Sequence, residues 1–222
     1  MKDEHKPVIA VLGGTGKEGS ALAQRWARAG YTVVIGSRDA ERAVSRAAEL
    51  SEQAGGVPMQ GMGNADATRT ADIVVLSVPY SAHKATLEGV KAALAGKILV
   101  DVTVPLQPPK VRTVHLPEGQ AAALEAQAYV GDSVRVVSAF QNVSYIKLVD
   151  LDTDVGCDIL VCGDDAEAKA AVIGLVEAGN MRGIDAGPLA NAVAVESLTP
   201  VLLYINKAYG IKSSGIHITG IS

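Results

Sequence analysis

The residues Gly14-Thr15-Gly16-Lys17-Glu18-Gly19 spell G-x-G-x-x-G. They follow an apolar run at residues 8–12 and open a helical pattern, the context in which such a loop cradles a pyrophosphate. Gly14 is expected to allow the tight turn, Gly16 to let the backbone approach the phosphates, and Gly19 to let the helix pack closely on the strand. The helix N-terminus would add free N–H groups and partial positive charge. Thr15 and Lys17 could add donors, with Glu18 in the same loop. Without a ligand, the same glycines would still make a tight strand-to-helix turn. Further along, Gly36-Ser37-Arg38 stands where an NAD-selective loop would carry Asp or Glu. A hydroxyl and a guanidinium suit a 2′-phosphate, and Arg42, four residues on, could face the same site. The expected cofactor is therefore NADP(H), although two such arginines could also be solvated beside Asp39 and Glu41. Val78-Pro79-Tyr80 and Thr103-Val104-Pro105 end expected strands and could flank a nicotinamide, or could merely terminate strands.

These loops need strands and helices to hold them. Strands are expected at residues 8–12, 32–35, 57–62, 72–78, 98–102, 134–140, 158–162 and 181–185. Helices are expected at residues 40–54, 81–94, 118–129 and 166–178, after the one that begins at the glycine loop and stops at Gly30. A long apolar helix at 189–208 is interrupted in pattern by Pro200. Residues 103–117 carry four prolines and read as loop. This alternation predicts an α/β fold, a Rossmann-type doubly wound, mostly parallel sheet with helices on both faces. The pattern restarts at residues 141–154. That seam divides a dinucleotide-binding domain, 1–140, from a small C-terminal α/β extension, 141–222, packed with it as one unit.

The chain has 222 residues, 48% of them apolar and 20% charged, which gives a sizeable core and excludes wholesale disorder. One Trp, six Tyr, one Phe and 23 Gly leave that core to Ala, Val, Leu and Ile. The net charge of −4 argues against a general nucleic-acid binder. Cys157 and Cys162 form no disulfide framework, and on a strand their spacing puts them on opposite faces, so they read as inert buried thiols. No His, Cys and Asp cluster has metal-ligand spacing, and no G-x-S-x-G elbow supports a hydrolase. The charged N-terminus lacks an apolar region behind it and no run approaches a membrane span. A soluble, cytoplasmic protein is the expectation.

The run Leu12-Gly13-Gly14-Thr15-Gly16 with Ile35-Gly36-Ser37-Arg38 resembles the deazaflavin-dependent NADP oxidoreductase family, reductases of the 8-hydroxy-5-deazaflavin coenzyme F-420. Further matches are Ser77-Val78-Pro79, Val136-Val137-Ser138-Ala139, Cys162-Gly163-Asp164-Asp165, Asp185-Ala186-Gly187-Pro188-Leu189 and Glu196-Ser197-Leu198-Thr199-Pro200. The resemblance spans nearly the whole chain. It implies hydride transfer between NADP(H) and the deazaflavin. It also implies a cofactor set of Thr15, Ser37, Arg38 and Arg42, joined by Val78, Pro79, Val104, Ala139 and Val143. The C-terminal extension would complete the deazaflavin cleft. Where the family often carries His, this chain has Gln141. In such a reaction the cofactors do the chemistry and the protein aligns two rings. No acid or base is expected. The Gln141 and Asn191 amides are candidates to steady charge on the deazaflavin.

Other residues have plainer readings. His83, at a helix start, could approach the site but reads more simply as a surface histidine. His217 lies in a segment that the family places near the deazaflavin, and His5 and His115 have no evident partner. Asp164-Asp165 precedes a helix and reads as a cap. Lys110, Arg112, Lys147, Lys207 and Lys212 are candidates to receive an anionic cofactor tail. The 189–208 helix is too apolar for a free surface, so it is either buried in the monomer or part of a dimer interface; a homodimer is the expectation, as it is from the resemblance. Two other functions stay open. One is an NADPH-dependent reductase of flavin or ferric complexes, since membrane ferric reductases carry a similar glycine loop. The other is an NADP sensor without turnover.

Overall fold

The computed structural model describes residues 6–221, so the N-terminal tail and His5 lie outside the described residues. The first half alternates β1 (Ile9–Leu12), α1 (Lys17–Arg28), β2 (Val33–Ser37), α2 (Ala40–Gln53), β3 (Gln60–Gly63), α3 (Asn64–Thr70), β4 (Ile73–Leu76), α4 (Tyr80–Leu94) and β5 (Ile98–Asp101). The second half holds α5 (Ala122–Val130), β6 (Arg135–Ser138), α6 (Tyr145–Leu148), β7 (Asp158–Gly163), α7 (Ala166–Ala178), β8 (Arg182–Asp185) and α8 (Ala192–Tyr209). The eight strands make one sheet in the order β3-β2-β1-β4-β5-β6-β7-β8. All neighbours are parallel except β6 and β7, which pair antiparallel through Ser138 and Cys162. The doubly wound, mostly parallel expectation is met.

Strands buried on both faces need apolar side chains at every position. In β1, Ile9 and Val11 enter the core on the face covered by α1, α2 and α7, where Leu22, Trp26 and Leu50 are fully buried. Ala10 and Leu12 enter the other core, with Leu76, Leu87 and Leu99. Truncating Trp26 to Ala would cost about 3–5 kcal/mol, the usual loss for a large aromatic taken from a packed core. The ring meets Phe140 edge-on with centroids 5.8 Å apart, and its Nε1 donates to the Leu175 carbonyl at 2.9 Å.

Some boundaries differ from expectation for identifiable reasons. The strand expected at 57–62 is β3, and it runs directly into α3, whose sequence Asn-Ala-Asp-Ala-Thr-Arg-Thr has no apolar periodicity. Helix α6 was likewise not expected. The 118–129 helix starts only at Ala122, because its N-terminal amides are capped from a distant element, described below. The 189–208 helix begins as a 3-10 turn, Leu189–Asn191, then continues through Pro200 to Tyr209. Leu189–Tyr209 is also long and apolar enough to cross a membrane by length and composition, so the expectation that no run approaches a span does not hold.

Candidate active site

The loops after β1, β2, β4, β5 and β6 all leave the same edge of the sheet, where an open α/β sheet binds ligands. The tight turn after β1 belongs to Gly13 rather than Gly14: Gly13 has φ +79°, and a Cβ there would sit 2.2 Å from the Ser77 carbonyl oxygen. Gly14 is needed for closeness instead, since its Cβ would stand 2.8 Å from the Val11 carbonyl oxygen. A Cβ on Gly19 would meet Gly13 and Gly14 backbone at 3.0 and 3.1 Å, as expected for helix–strand contact. Gly16 is exposed and faces the cleft. Gly16 is the N-cap of α1 and supplies no side-chain cap, so the first-turn amides keep donors free for an anion. Thr15 sits half-buried in the turn.

Beside this loop, Ser37 and Arg38 line a recess of about 320 Å³ with Gly63, Asn64, Asp66 and Thr86. Arg38 and Arg42 are exposed and make no ion pair among the described residues. Arg42 lies in the first turn of α2, its amide donating to the N-cap Asp39 at 3.1 Å. The buried Oδ1 of Asn64 has no partner, an acceptor suited to a ribose hydroxyl. These features fit NADP(H): a glycine cradle, a free helix N-terminus and two available guanidiniums.

The main cleft encloses about 680 Å³. Gly16, Lys17, Glu18, Val78, Pro79, Val104, Gln141 and Val143 line it. Its far wall is Thr199, Leu202, Leu203 and Asn206 from α8, with Lys212 and Ser214 beyond. Burial pushes the Glu18 carboxyl up to about 8. Lys17 Nζ lies 3.3 Å from the Tyr145 hydroxyl and 4.9 Å from its ring centroid. Phe140 adopts φ +74°, a left-handed backbone that a bulky residue rarely takes, and this turn aims Gln141 inward. Gln141 Nε2 is already committed, donating to the Asp101 carbonyl at 2.7 Å and to Ser138 Oγ at 2.9 Å. The atoms without partners are Gln141 Oε1 and Asn142 Oδ1, so the wall offers acceptors where donors were expected. Thr199 Oγ1 donates to the Gln141 carbonyl at 2.7 Å, tying α8 to this loop.

Two expected residues stand elsewhere. Ala139 is fully buried behind the cleft. Asn191 is exposed, with Nδ2 donating to the Ala186 carbonyl at 2.7 Å, and it does not line the cleft. The reason is the reversal at β7: the loop after β8 leaves toward the opposite edge of the sheet. His83 is not a surface residue. It is 3% exposed, and its Nε2 lies 2.6 Å from Oδ2 of the fully buried Asp101. The sequence signal for that pairing is thin: Asp101 closes the apolar stretch Ile98-Leu99-Val100, while His83 is one polar residue on a helix start. Glu196, 2% exposed, accepts from the Ala122 and Ala123 amides at 2.7 and 3.0 Å, and burial pushes it up to about 8 despite those donors.

The remaining assignments are plain. Asp165 caps α7 through the Ala168 amide at 2.7 Å, as expected. His217 is exposed, 3.6 Å from Asp158. His115 meets Gln107 at 2.8 Å. Of the basic candidates only Lys212 lines the cleft, while Lys147 donates to the Val155 carbonyl. Cys157 and Cys162 are free and buried, and burial raises both thiols, Cys162 to about 11. Among the described residues no three His, Cys, Asp or Glu side chains are grouped to hold a metal ion.

Comparison with known proteins places the chain in a family. Residues 8–105 match the family model described as NADP oxidoreductase, coenzyme F420-dependent. The chain is 41% identical over 220 residues to the F420-dependent NADP reductase of Methanothermobacter marburgensis, covering 96% of this chain and 98% of that protein. It is also 41% identical to the enzyme of the same name from Methanocaldococcus jannaschii, with 96% and 98% covered. A solved structure from Arthrobacter sp. FB24, described as a candidate F420-dependent NADP reductase, superposes with a TM-score of 0.79 at 28% identity, covering 96% of this chain and 99% of that one. With this identity sustained over nearly the full length, the chain belongs to the family of coenzyme F420-dependent NADP oxidoreductases.

Proposed function

We propose that the cleft aligns NADP(H) and the deazaflavin coenzyme for direct hydride transfer, the function that the likeness to F420-dependent NADP reductases supports. The observation that carries the reading is the junction of two half-sites: a glycine loop with a free helix N-terminus, and an apolar wall from α8 facing it. The bound cofactors supply the hydride chemistry. The protein's part is position. Gly16 and the α1 amides hold the pyrophosphate, with Thr15, Lys17 and the close-packed Gly14 and Gly19 shaping the loop. Ser37, Arg38 and Arg42 hold the 2′-phosphate. Val78, Pro79 and Val104 flank the nicotinamide. Gln141, Val143 and the α8 residues Leu202 and Leu203 border the deazaflavin, and Lys212 meets its anionic tail. Ala139 acts only as support beneath that loop. No side chain serves as acid or base.

The same reading takes residues 1–140 as the dinucleotide domain and 141–222 as an extension that completes the cleft. It takes a second copy of the chain as the cover for the exposed Val201, Tyr204 and Tyr209 of α8, and the cytoplasm as the site of action. Light scattering tests the homodimer: a mass of one chain at working concentration would overturn it. For the reaction, purified protein is mixed with NADPH and oxidised deazaflavin coenzyme, and the deazaflavin absorbance is followed. Bleaching with NADPH, and not with NADH or with flavin mononucleotide as acceptor, is expected. NADPH binding without bleaching would overturn the acceptor assignment and leave the dinucleotide site standing.

A further inference from the structure

We propose that His83 and Asp101 form a buried positioning pair that holds one wall of the hydride cleft in place through Thr103 and Gln141. This rests on the cleft assignment above. Asp101 closes β5 and does not line the cleft, but three of its oxygens are in use. Its Oδ2 meets His83 Nε2 at 2.6 Å. Its Oδ1 accepts from the Thr103 amide at 2.9 Å. Its carbonyl accepts from Gln141 Nε2 at 2.7 Å. Thr103 and Gln141 both line the cleft. Thr103 is therefore fixed to the Asp101 carboxylate, whose only charged partner among the described residues is His83, and Gln141 is fixed to the main-chain carbonyl of the same residue.

A structural explanation alone leaves this pair without a reason. Both residues lie at 3% exposure or less, where a His–Asp pair costs more desolvation than an apolar contact of similar volume. The neighbours are apolar enough to accept one: Leu87 and Leu76 are fully buried nearby in the same core. What the pair adds is directional. It fixes the Thr103 amide, and with it the stretch of main chain whose Asp101 carbonyl holds Gln141, without reaching the cleft.

The other side of His83 faces a second cavity of about 800 Å³ between α4 and α5, lined also by Tyr80, Lys84, Leu124, Glu125 and Tyr129. Tyr80 lines this cavity and the cleft alike. Its ring stacks on His83 with centroids 6.1 Å apart, and its hydroxyl donates to Glu125 at 2.8 Å. The charged and titratable groups facing His83 are Asp101 from β5, Tyr80 and Lys84 from its own helix, Glu125 and Tyr129 from α5, and Glu196 from α8. Burial alone would lower the imidazole. The hydrogen bond and charge of Asp101, with Glu125 and Glu196 behind, outweigh it and lift the imidazole above its ordinary value. The pair is charged below that value and loses its cation as pH rises through it. Asp101 then stands with Glu125 and Glu196 and no counter-charge, its carboxylate anchored only by a neutral imidazole, so the Thr103 amide is held less firmly and the Gln141 contact to the main chain of the same residue shifts with it.

The test has two arms. In the free protein, nuclear magnetic resonance follows the His83 ring, the Thr103 backbone amide and the Gln141 side-chain NH₂ through a pH titration. All three are expected to shift with one midpoint. If Thr103 and Gln141 ignore the His83 transition, the proposal is wrong, whatever the enzyme's substrate. In turnover, His83→Gln keeps a donor to Asp101 but no titration. It is expected to remove the high-pH loss of kcat and to leave the NADPH Kd unchanged. At low pH its kcat should fall about tenfold, the scale of a misplaced ring, and His83→Leu should fall further. A wild-type pH profile in His83→Gln would overturn the proposal. Wild-type protein with the coupled titration but no deazaflavin turnover would instead count against the acceptor assignment. Should His83→Gln fail to fold, the titration of the wild-type protein decides alone.

Discussion

Arg25 in α1 lies 2.7 Å from the Gly179 carbonyl, across the seam between the two parts of the chain. The same guanidinium donates to the carbonyls of Leu148, Lys147 and Asp150 at 2.9, 3.2 and 2.5 Å. Its residue is 4% exposed. One buried cation thus satisfies four backbone acceptors of the C-terminal part, which ties that part to the first helix. Arg25→Met keeps the stem and removes the donors, and should lower stability by about 2–4 kcal/mol. Denaturant unfolding by fluorescence and by circular dichroism should give one coincident transition in both proteins. Two separated transitions in the wild type would show that the parts fold independently.

The 2′-phosphate assignment concerns Arg38 and Arg42, both exposed and free of ion pairs among the described residues. Replacing both with Ala should weaken NADPH by about 2–4 kcal/mol, the loss of two charge-assisted contacts, with little effect on NADH. Titration calorimetry with each nucleotide reads this directly. Equal losses for both would place the arginines away from the phosphate.

Glu18 should make NADPH binding pH-dependent. Its carboxyl, raised to about 8 by burial, is mostly protonated at neutral pH and ionises as pH rises through that value. An ionised carboxylate in the glycine loop repels a pyrophosphate. NADPH affinity should therefore fall as pH rises through about 8, and Glu18→Gln should flatten that limb. A fluorescence titration of NADPH at several pH values would reveal either result; an unchanged limb in the variant would rule Glu18 out. The same sign governs folding. Glu18 and Glu196 both bind protons more tightly folded than unfolded. Stability thus declines as pH climbs from the ordinary carboxylate value to about 8.

Gln141 and Asn191 should part company. Gln141→Ala removes two hydrogen bonds behind the cleft and an acceptor in its wall. Deazaflavin turnover should drop about tenfold, the scale of a misaligned ring. Asn191→Ala should stay near wild-type turnover, because its amide serves only Ala186. A large loss in Asn191→Ala would contradict the geometry.

Periodicity in the sequence locates most of the framework. Runs such as Ile73-Val74-Val75-Leu76 can hardly be anything but strands buried on both faces. The strand–glycine-turn–helix unit is legible because it is local: a few consecutive residues, Gly13 to Gly19, carry the whole geometry. What escaped was non-local. The α5 start depends on Glu196, more than seventy residues away, so no nearby residue announces it. His83 looks like any polar residue on a helix until Asp101 is opposite it. Asn191 was misjudged because strand direction is invisible in a pattern of alternating elements. The antiparallel pairing of Val137 with Gly163 and of Ser138 with Cys162 reveals the turnabout.

That turnabout also separates two kinds of inheritance. On the proposed reading the nucleotide is recognised by the loops after β1 and β2, with β3, α3 and α4 closing the recess beside Ser37, whereas the far wall of the cleft comes from α8 and the stretch just after it. No secondary-structure element belongs to both. A lineage, or a laboratory library, can therefore vary Leu202, Leu203, Asn206 and Lys212 to explore new acceptors while the dinucleotide loop is held constant. The converse exchange, of one nucleotide for another at Ser37 and Arg38, leaves the acceptor wall as it was.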